Sequence, residues 1–333
     1  MDRTVIGADY EPAALEALKA FGIEPASLEF ANISENITFK VSDGRRGGVY
    51  ALRLHRPGYH ALEALRSESL WTRALSEAGV RTPKAVATLS GDDYVQVPIG
   101  ATGERRWAGL AGWLEGEVLA KVVEGETDPL INAHHFERLG AIMAAMHNQA
   151  SAWTPPAEFQ RHRLDAEGLM GEAPFWGPFW EHAILSKAEA GLLLATRDRI
   201  RGALTRLGKS PEIYSVIHAD LHAGNIIRNG EQFVVIDFDD TAFGWHMYDV
   251  AVALLGYQSH PDFARFREAC LRGYRAVRGL SDEAVALLPM FLLTRELAQV
   301  GWLHQRPELG APPALAANKD ALCARAEQFE APC

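Results

Sequence analysis

The residues able to do chemistry in this chain are concentrated in His218-Ala-Asp220-Leu-His222-Ala-Gly-Asn225 and in Ile236-Asp237-Phe238-Asp239-Asp240 shortly after. An Asp, an Asn five residues on and a second Asp beyond a hairpin make up the acidic set that phosphoryl transfer needs. In that chemistry one carboxylate, here Asp220, accepts the proton of an attacking hydroxyl. An amide oxygen, Asn225, and a second carboxylate, Asp237, hold Mg2+ ions that neutralise nucleotide phosphates. Little covalent work falls to the protein, so positioning and charge neutralisation supply most of the rate. Such residues act together only if the chain brings them from different elements to one point.

The flanking residues predict those elements. Glu212–Ile217 reads as a short strand running into the loop at His218, and Asn225-Ile-Ile-Arg228 as a second. Asn229-Gly230 predicts a type I′ turn, in which both central positions take positive φ. Gln232–Ile236 is the return strand, with Asp237 at its end. A hairpin of this length carries Asn225 and Asp237 to the same end.

With its residues in this order and at these intervals, the segment Val216–Leu255 resembles the catalytic region of the aminoglycoside phosphotransferase and choline kinase superfamily, whose fold is similar to that of the eukaryotic protein kinases. Ile236-Asp-Phe-Asp-Asp240 and the pattern Arg295…Trp302…Arg306 resemble the branch that holds the bacterial stress-response Ser/Thr kinases and the type II homoserine kinases. The resemblance implies ATP and Mg2+ as cofactors. It makes Asp220 the catalytic base and Asn225 and Asp237 the metal ligands. His218 becomes the brace of the catalytic loop, and Asp249, in Tyr248-Asp-Val-Ala251, the buried carboxylate tying the next helix to that loop. Ala219 departs from the pattern, since many members carry Gly there; its methyl is tolerable at negative φ. His222 either touches substrate or phosphate or faces solvent as a neutral side chain.

The implied fold is α+β and bilobal, with an antiparallel-sheet N-lobe over residues 1–112 and a mainly helical C-lobe over 113–333. The first segment reads accordingly: a helix at Glu11–Phe21, strands at Leu28–Ala31, Ile37–Val41 and Val49–Leu54, a helix around Arg66–Leu75, and strands at Ala85–Thr88, Tyr94–Pro98 and Trp107–Trp113. Asn32–Asn36 lacks a glycine-rich motif. Glu35-Asn36-x-x-Phe39 resembles the Ser/Asn-rich loop of the relatives, which makes Ser34 and Asn36 donors to nucleotide phosphates; a plain hairpin loop is the other reading. Arg53 sits among apolar residues, where a charge costs free energy unless paired. The resemblance assigns it to the α/β phosphates and to a helix carboxylate, Glu68 ahead of Glu63. Trp113 and Leu114 open a stretch to Glu117 resembling the interlobe hinge that reads adenine through backbone groups, with Gly116 permitting the change of direction.

Farther on, Phe136–His147 is an apolar-striped helix. The aromatic, proline-rich stretch 151–180 predicts a folded insert ahead of a helix at 181–207, in the region that shapes the acceptor pocket in the superfamily. Trp176 and Trp180 either wall that pocket or pack the insert. Helices follow at 250–257, 261–277, 281–300 and 314–328. Arg295, in an apolar run, needs a carboxylate, for which Asp239 and Asp240 are candidates. The same two residues are candidates for binding a substrate ammonium or assisting the metal.

Bulk properties narrow the function classes. A length of 333 residues with 48% hydrophobic content suffices for two lobes with cores. A net charge of −10 argues against a broad nucleic-acid surface. The three scattered cysteines form no disulfide framework. Neither a signal peptide nor a membrane-length apolar run is visible, so the expectation is a cytoplasmic protein with no membrane partner. The acceptor expected is a small-molecule hydroxyl on an amino alcohol, an amino acid or an aminoglycoside. A Ser/Thr protein kinase is the alternative. A nucleotide-binding regulator without catalysis ranks third, because Asp220, Asn225 and Asp237 are all kept.

Overall fold

A computed structural model of the protein describes residues 3–33, 36–45, 47–100, 103–309 and 313–331. The chain divides into two compact units. The first comprises Met1–Glu117, Pro155–Gln160 and Ile227–Asp239; the second comprises Val118–Thr154, Arg161–Ile226 and Asp240–Cys333. Where the sequence suggested one cut near residue 112, the chain returns twice to the first unit, and the second return carries Asp237 and Asp239.

Alternating apolar residues build the sheet of the first unit. After helix α1 (Arg3–Ala20) come β1 (Pro25–Ile33), β2 (Ile37–Asp43), β3 (Val49–Leu54), helix α2 (Leu62–Glu77), β4 (Ala85–Val86), β5 (Tyr94–Ile99) and β6 (Glu104–Gly112). The order is β1-β2-β3-β6-β4, with β5 also on β6 and every pair antiparallel. Along β2, Ile37, Phe39 and Val41 point to one buried face. They pack with Leu52, Leu54, Val97, Ile99, Ala108 and Leu110 against Ala13, Ala14, Ala17 and Leu18 of α1. The register places Arg53 of β3 opposite Thr38 of β2 and Gly109 of β6, in the middle of the sheet.

The second unit is mainly helical. Strand β7 (Glu117–Val118) leads to α3 (Leu119–Gly125) and α4 (Pro129–Ala152). Asp128 caps α4 by accepting from the N–H of Leu130, with Pro129 in the first turn. The insert holds β8 (Arg163–Leu164) and α5 (Ala166–Met170), then α6 (Lys187–Leu207). The last helix starts six residues later than the sequence reading placed it, because Ser186 and Glu189 form a capping box. Next come β9 (Tyr214–Ile217), β10 (Ile226–Asn229), β11 (Gln232–Val235), β12 (Ala242–Trp245), α7 (His246–Leu255), α8 (Phe263–Val277), α9 (Asp282–Ala286), α10 (Leu288–His304) and α11 (Pro313–Gln328). The single helix expected over 281–300 is two, α9 and α10, with Pro289 in the first turn of the second.

The α4–α8 packing is close because glycines stand at the contact. A Cβ on Gly140 would lie 2.0 Å from the carbonyl oxygen of Cys270, and one on Gly273 would lie 1.8 Å from that of Glu137. A small sheet in the order β8-β12-β9 holds Ile217 against Ala242 and so fixes the start of the loop at His218. The β10–β11 hairpin turns at Gly230-Glu231, not at Asn229-Gly230. Positive φ is confined to Gly230 (+55°), the requirement of a II′ turn rather than the I′ turn expected. Among the described residues no helix is long and apolar enough to cross a membrane.

Candidate active site

In the second unit the loop at His218 is tied down from beneath by a buried carboxylate. Asp249, in the first turn of α7, accepts from the backbone N–H of His218 (3.1 Å) and of Ala219 (2.7 Å). It lies 3.1 Å from Nε2 of His147, whose Nδ1 is 2.9 Å from the Tyr274 hydroxyl. Burial pushes the Asp249 carboxyl up to about 6 and the His147 imidazole down to about 3. A neutral His147 therefore donates through Nε2 to Asp249 and accepts from Tyr274.

The fastening has a backbone consequence. Ala219 takes φ +67°, the left-handed region, with its side chain fully buried. The expectation of negative φ at this departure from glycine is overturned. The conformation costs an alanine on the order of 1–2 kcal/mol. Two hydrogen bonds to a buried carboxylate at residues 218 and 219 hold it in place.

The strained turn presents Asp220. Its N–H donates to Nδ1 of His218 (3.3 Å). The carboxylate meets three donors. Arg295 Nη2 reaches Oδ1 at 2.5 Å, and Asn225 Nδ2 reaches Oδ2 at 2.9 Å. His222 Nε2 lies 3.3 Å from Oδ2 while its Nδ1 accepts from Gly224 N–H, so the ring carries its proton toward Asp220. Of the two readings for His222, the structure places it half-exposed against Asp220. Burial pushes the Asp220 carboxyl upward, but the charge of Arg295 and the hydrogen bond from His222 outweigh burial and hold it at about 2. Asn225 spends both amide hydrogens on Asp220, on the carboxylate and on the carbonyl oxygen (2.9 Å). Its Oδ1 accepts nothing among the described residues, which leaves it as the outward oxygen.

The partner expected for Arg295 from the sequence is the wrong one. Its carboxylate is Asp220, not Asp239 or Asp240. Asp240, half-buried, acts on Arg295 only as a nearby charge. The guanidinium lies 5.4 Å from the centre of the Trp176 ring, which stacks on Tyr248 at 6.2 Å and 10°. Trp176 is 3% exposed, so it packs under Arg295 and offers almost no open surface to an acceptor. Trp180 stands beneath Arg197, 4.6 Å from it.

The first unit holds a second charged cluster. Arg53 Nη2 lies 2.9 Å from Asp237 Oδ1 and 3.3 Å from Asp239 Oδ2, and Nη1 lies 3.9 Å from Glu68. Asn36 donates through Nδ2 to Asp239, while its Oδ1 accepts from the N–H of Arg56 (3.0 Å). His55 Nδ1 stands 3.9 Å from Asp239 Oδ1, and burial lowers that imidazole to about 4. Asp237 takes φ +63°, a left-handed turn that aims two carboxylates, two residues apart, at one guanidinium. Phe238 between them is buried edge-on against Trp71 at 5.6 Å. Burial works against the charge on Arg53, but Asp239, Asp237 and Glu68 outweigh it and raise its pKa. Of the roles open to Asp239 from the sequence, the one in view is an enclosed partner of Arg53 and Asn36. Ser34 lies outside the described residues. Trp113 donates its N–H to Val49 (2.9 Å) beneath Lys40, Leu114 follows half-buried, and a Cβ on Gly116 would meet the Arg228 carbonyl at 2.4 Å.

These donor sets fit a divalent cation and a polyphosphate. Three carboxylates surround one guanidinium, an excess of negative charge, and the most exposed of them is Asp237, at 38%. The outward Oδ1 of Asn225 is a hard oxygen of the kind Mg2+ prefers. Among the described residues no group of three His, Cys, Asp or Glu is arranged to hold a metal by itself.

Comparison with known proteins agrees with this chemistry. The model of the phosphotransferase enzyme family matches residues 28–288. The chain is 25% identical over 310 residues to an amicoumacin kinase of Bacillus subtilis (strain 168), covering 90% of this chain and 86% of that one. It is 33% identical over 198 residues to a homoserine kinase of Rhizobium rhizogenes (strain K84), covering 56% and 57% respectively. The structure of a microcompartment-associated aminopropanol kinase superposes with a TM-score of 0.80 at 29% identity, covering 95% of each chain.

Proposed function

The chain belongs to the phosphotransferase enzyme family, and from that premise we propose that it transfers the γ-phosphoryl group of ATP, bound with Mg2+, to a hydroxyl of a small amino-bearing molecule. The observation that carries the reading is the Asp220 carboxylate, held by three donors on a turn fixed from beneath by Asp249. A carboxylate has about four lone-pair positions. Three are engaged, and the one left lies on Oδ1, where an acceptor hydroxyl can donate.

Asp220 is a weak base at about 2. Its contribution is to orient the acceptor oxygen and to take up the proton late, once bonding to phosphorus has acidified it. A loose phosphoryl-transfer transition state needs little more from a base. Bound Mg2+ supplies charge neutralisation at the phosphates, with Asn225 Oδ1 and Asp237 as its protein ligands. Arg53 and Asn36 hold phosphate oxygens, with Ser34 assigned alongside them and Glu68 behind Arg53. Backbone groups at Trp113 and Leu114 read the adenine. His218 supports the turn and His222 orients Asp220. The acceptor class is supported by the aminopropanol, homoserine and amicoumacin kinases to which the chain is similar.

The test is ADP release with Mg-ATP across aminopropanol, homoserine, ethanolamine, choline, aminoglycosides and a generic protein substrate, with Asp220→Ala as control. A signal dependent on one small amino-bearing acceptor, lost in the variant, is the expected result. Phosphorylation of the protein substrate alone would replace the small acceptor with a protein one. Equal turnover by Asp220→Ala would remove Asp220 from the reaction.

A further inference from the structure

Asp239 has no task in the reaction as assigned, yet it is more enclosed than the Asp237 carboxylate two residues before it. The Asp239 side chain is 10% exposed and that of Asp237 is 38%. Both reach the same Nη2 of Arg53. The cation role given to Asp237 creates a conflict at that nitrogen. A carboxylate oxygen that takes a divalent cation cannot keep a guanidinium on the same side, because the two positive charges repel. Arg53, largely buried on β3, then loses one hydrogen-bonded carboxylate and needs another to hold its guanidinium in place beside the phosphates. Glu68, at 3.9 Å, is beyond hydrogen-bond reach. Asp239, at 3.3 Å, is within it.

Asp239 has a second bond that matters to the same site. Its Oδ2 accepts from Asn36, the residue just before β2, while Asn36 accepts from the N–H of Arg56 just past β3. One buried carboxylate oxygen thus links the start of β2 to the Arg53 side chain. The left-handed turn at Asp237 makes the double approach possible, since an extended Asp-Phe-Asp would place both carboxylates on one face in line rather than converging on one nitrogen.

We propose that Asp239 is a positioning residue that keeps Arg53 and Asn36 on the nucleotide phosphates when Asp237 leaves Arg53 for the divalent cation. The inference rests on the reading of Arg53, Asn36 and Asp237 given above. It predicts a division of labour between two neighbouring carboxylates: Asp237 exchanges partners, Asp239 does not.

Equilibrium binding of ADP and of a non-hydrolysable ATP analogue to the full chain, with and without Mg2+, tests it without any acceptor. In Asp239→Asn, metal-free nucleotide affinity should stay within about 3-fold of wild type, because Asp237 still holds Arg53. With Mg2+ the affinity should fall at least 10-fold. In a background carrying both Arg53→Met and Asn36→Ala the same substitution should have almost no further effect. A loss of equal size in that background would mean that Asp239 ligates the metal directly, and the inference fails. Equal losses with and without Mg2+ would make Asp239 a general scaffold residue and also overturn it. Asp239→Ser, smaller and still an acceptor, replaces Asp239→Asn if the amide variant does not melt cooperatively. Wild-type protein that binds no nucleotide under either condition would instead remove the underlying assignment of the site.

Discussion

Each unit of this protein encloses an arginine against aspartate, and the two solutions differ in stoichiometry. Arg295, in the second unit, has a single ion-pair partner among the described residues, Asp220, and rests on the Trp176 ring. Arg53, in the first, is shared among Asp237, Asp239 and Glu68. A one-to-one buried pair is closed: removing either member leaves an uncompensated charge, and neither is released without cost. A guanidinium with surplus carboxylates is open, because one carboxylate can turn to another cation while the rest retain the arginine. The difference is what the proposed reaction asks for, a fixed Asp220 in one place and an exchangeable Asp237 in the other.

The largest expected effect probes the closed pair at its functional end. Asp220→Ala should lower acceptor-dependent turnover by about 10³-fold, within the range typical of a removed acid–base group, while nucleotide affinity changes by less than about 3-fold. A fall in nucleotide affinity matching the fall in turnover would show that Asp220 supports the fold of the site rather than the acceptor.

Next, the arginines themselves set the comparison against itself. Arg295→Met should destabilise by about 3 kcal/mol, since it strands a buried carboxylate, and Mg2+ should not restore it. Arg53→Met should cost a comparable amount, about 3 kcal/mol, because it strands the enclosed Asp239 and Glu68 carboxylates. Millimolar Mg2+ should recover most of that loss in a melting experiment. If Mg2+ stabilised both variants alike, the distinction between an open and a closed site would collapse.

A smaller effect tests the anchor beneath the catalytic turn. His147→Gln should cost about 2 kcal/mol at pH 8 through the lost bond to Asp249. The folded imidazole is depressed to about 3 from 6.5. Its neutral form therefore contributes stability above pH 6.5, and that contribution declines as pH falls toward 3, by about 1.4 kcal/mol per unit. The gap between wild type and variant should thus narrow below pH 6.5 in chemical denaturation curves. Asp249, raised to about 6, works in the opposite sense in both proteins, its contribution lost as pH rises through 6. A gap independent of pH would remove His147 from the titrating pair.

The smallest effect concerns Ala219. Glycine there relieves left-handed strain but loses a buried methyl and adds unfolded-chain entropy, so Ala219→Gly should shift stability by less than about 1 kcal/mol. A large stabilisation, read from the melting temperature, would mean that the turn stores more strain than its two bonds to Asp249 suggest.

Much of the fold was legible because its signals are local. Alternation marked β2 and β3, the apolar stripe marked α4, and the apolar neighbours of Arg53 announced a buried charge. Two local signals were misread. Ser186 and Glu189 spell a capping box that delays α6, and Pro289 breaks the helix written as 281–300. Asn229-Gly230 was a correct hairpin signal attached to the wrong pair of turn residues.

The sequence by itself determined the family, the α+β architecture and the presence of two aspartates and an asparagine at phosphotransferase intervals, because residue type and short-range spacing carry that information. Only the tertiary structure decided which carboxylate each arginine holds. Arg295 and Asp220 are 75 residues apart, and Asn36 and Asp239 are 203 apart. Several carboxylates satisfied the same requirement for a partner, and adjacency across such distances follows from how helices and strands pack. The left-handed turns at Ala219 and Asp237 belong to the same class: alanine disfavours that region and aspartate only tolerates it, and hydrogen bonds and ion pairs from distant elements hold both in place.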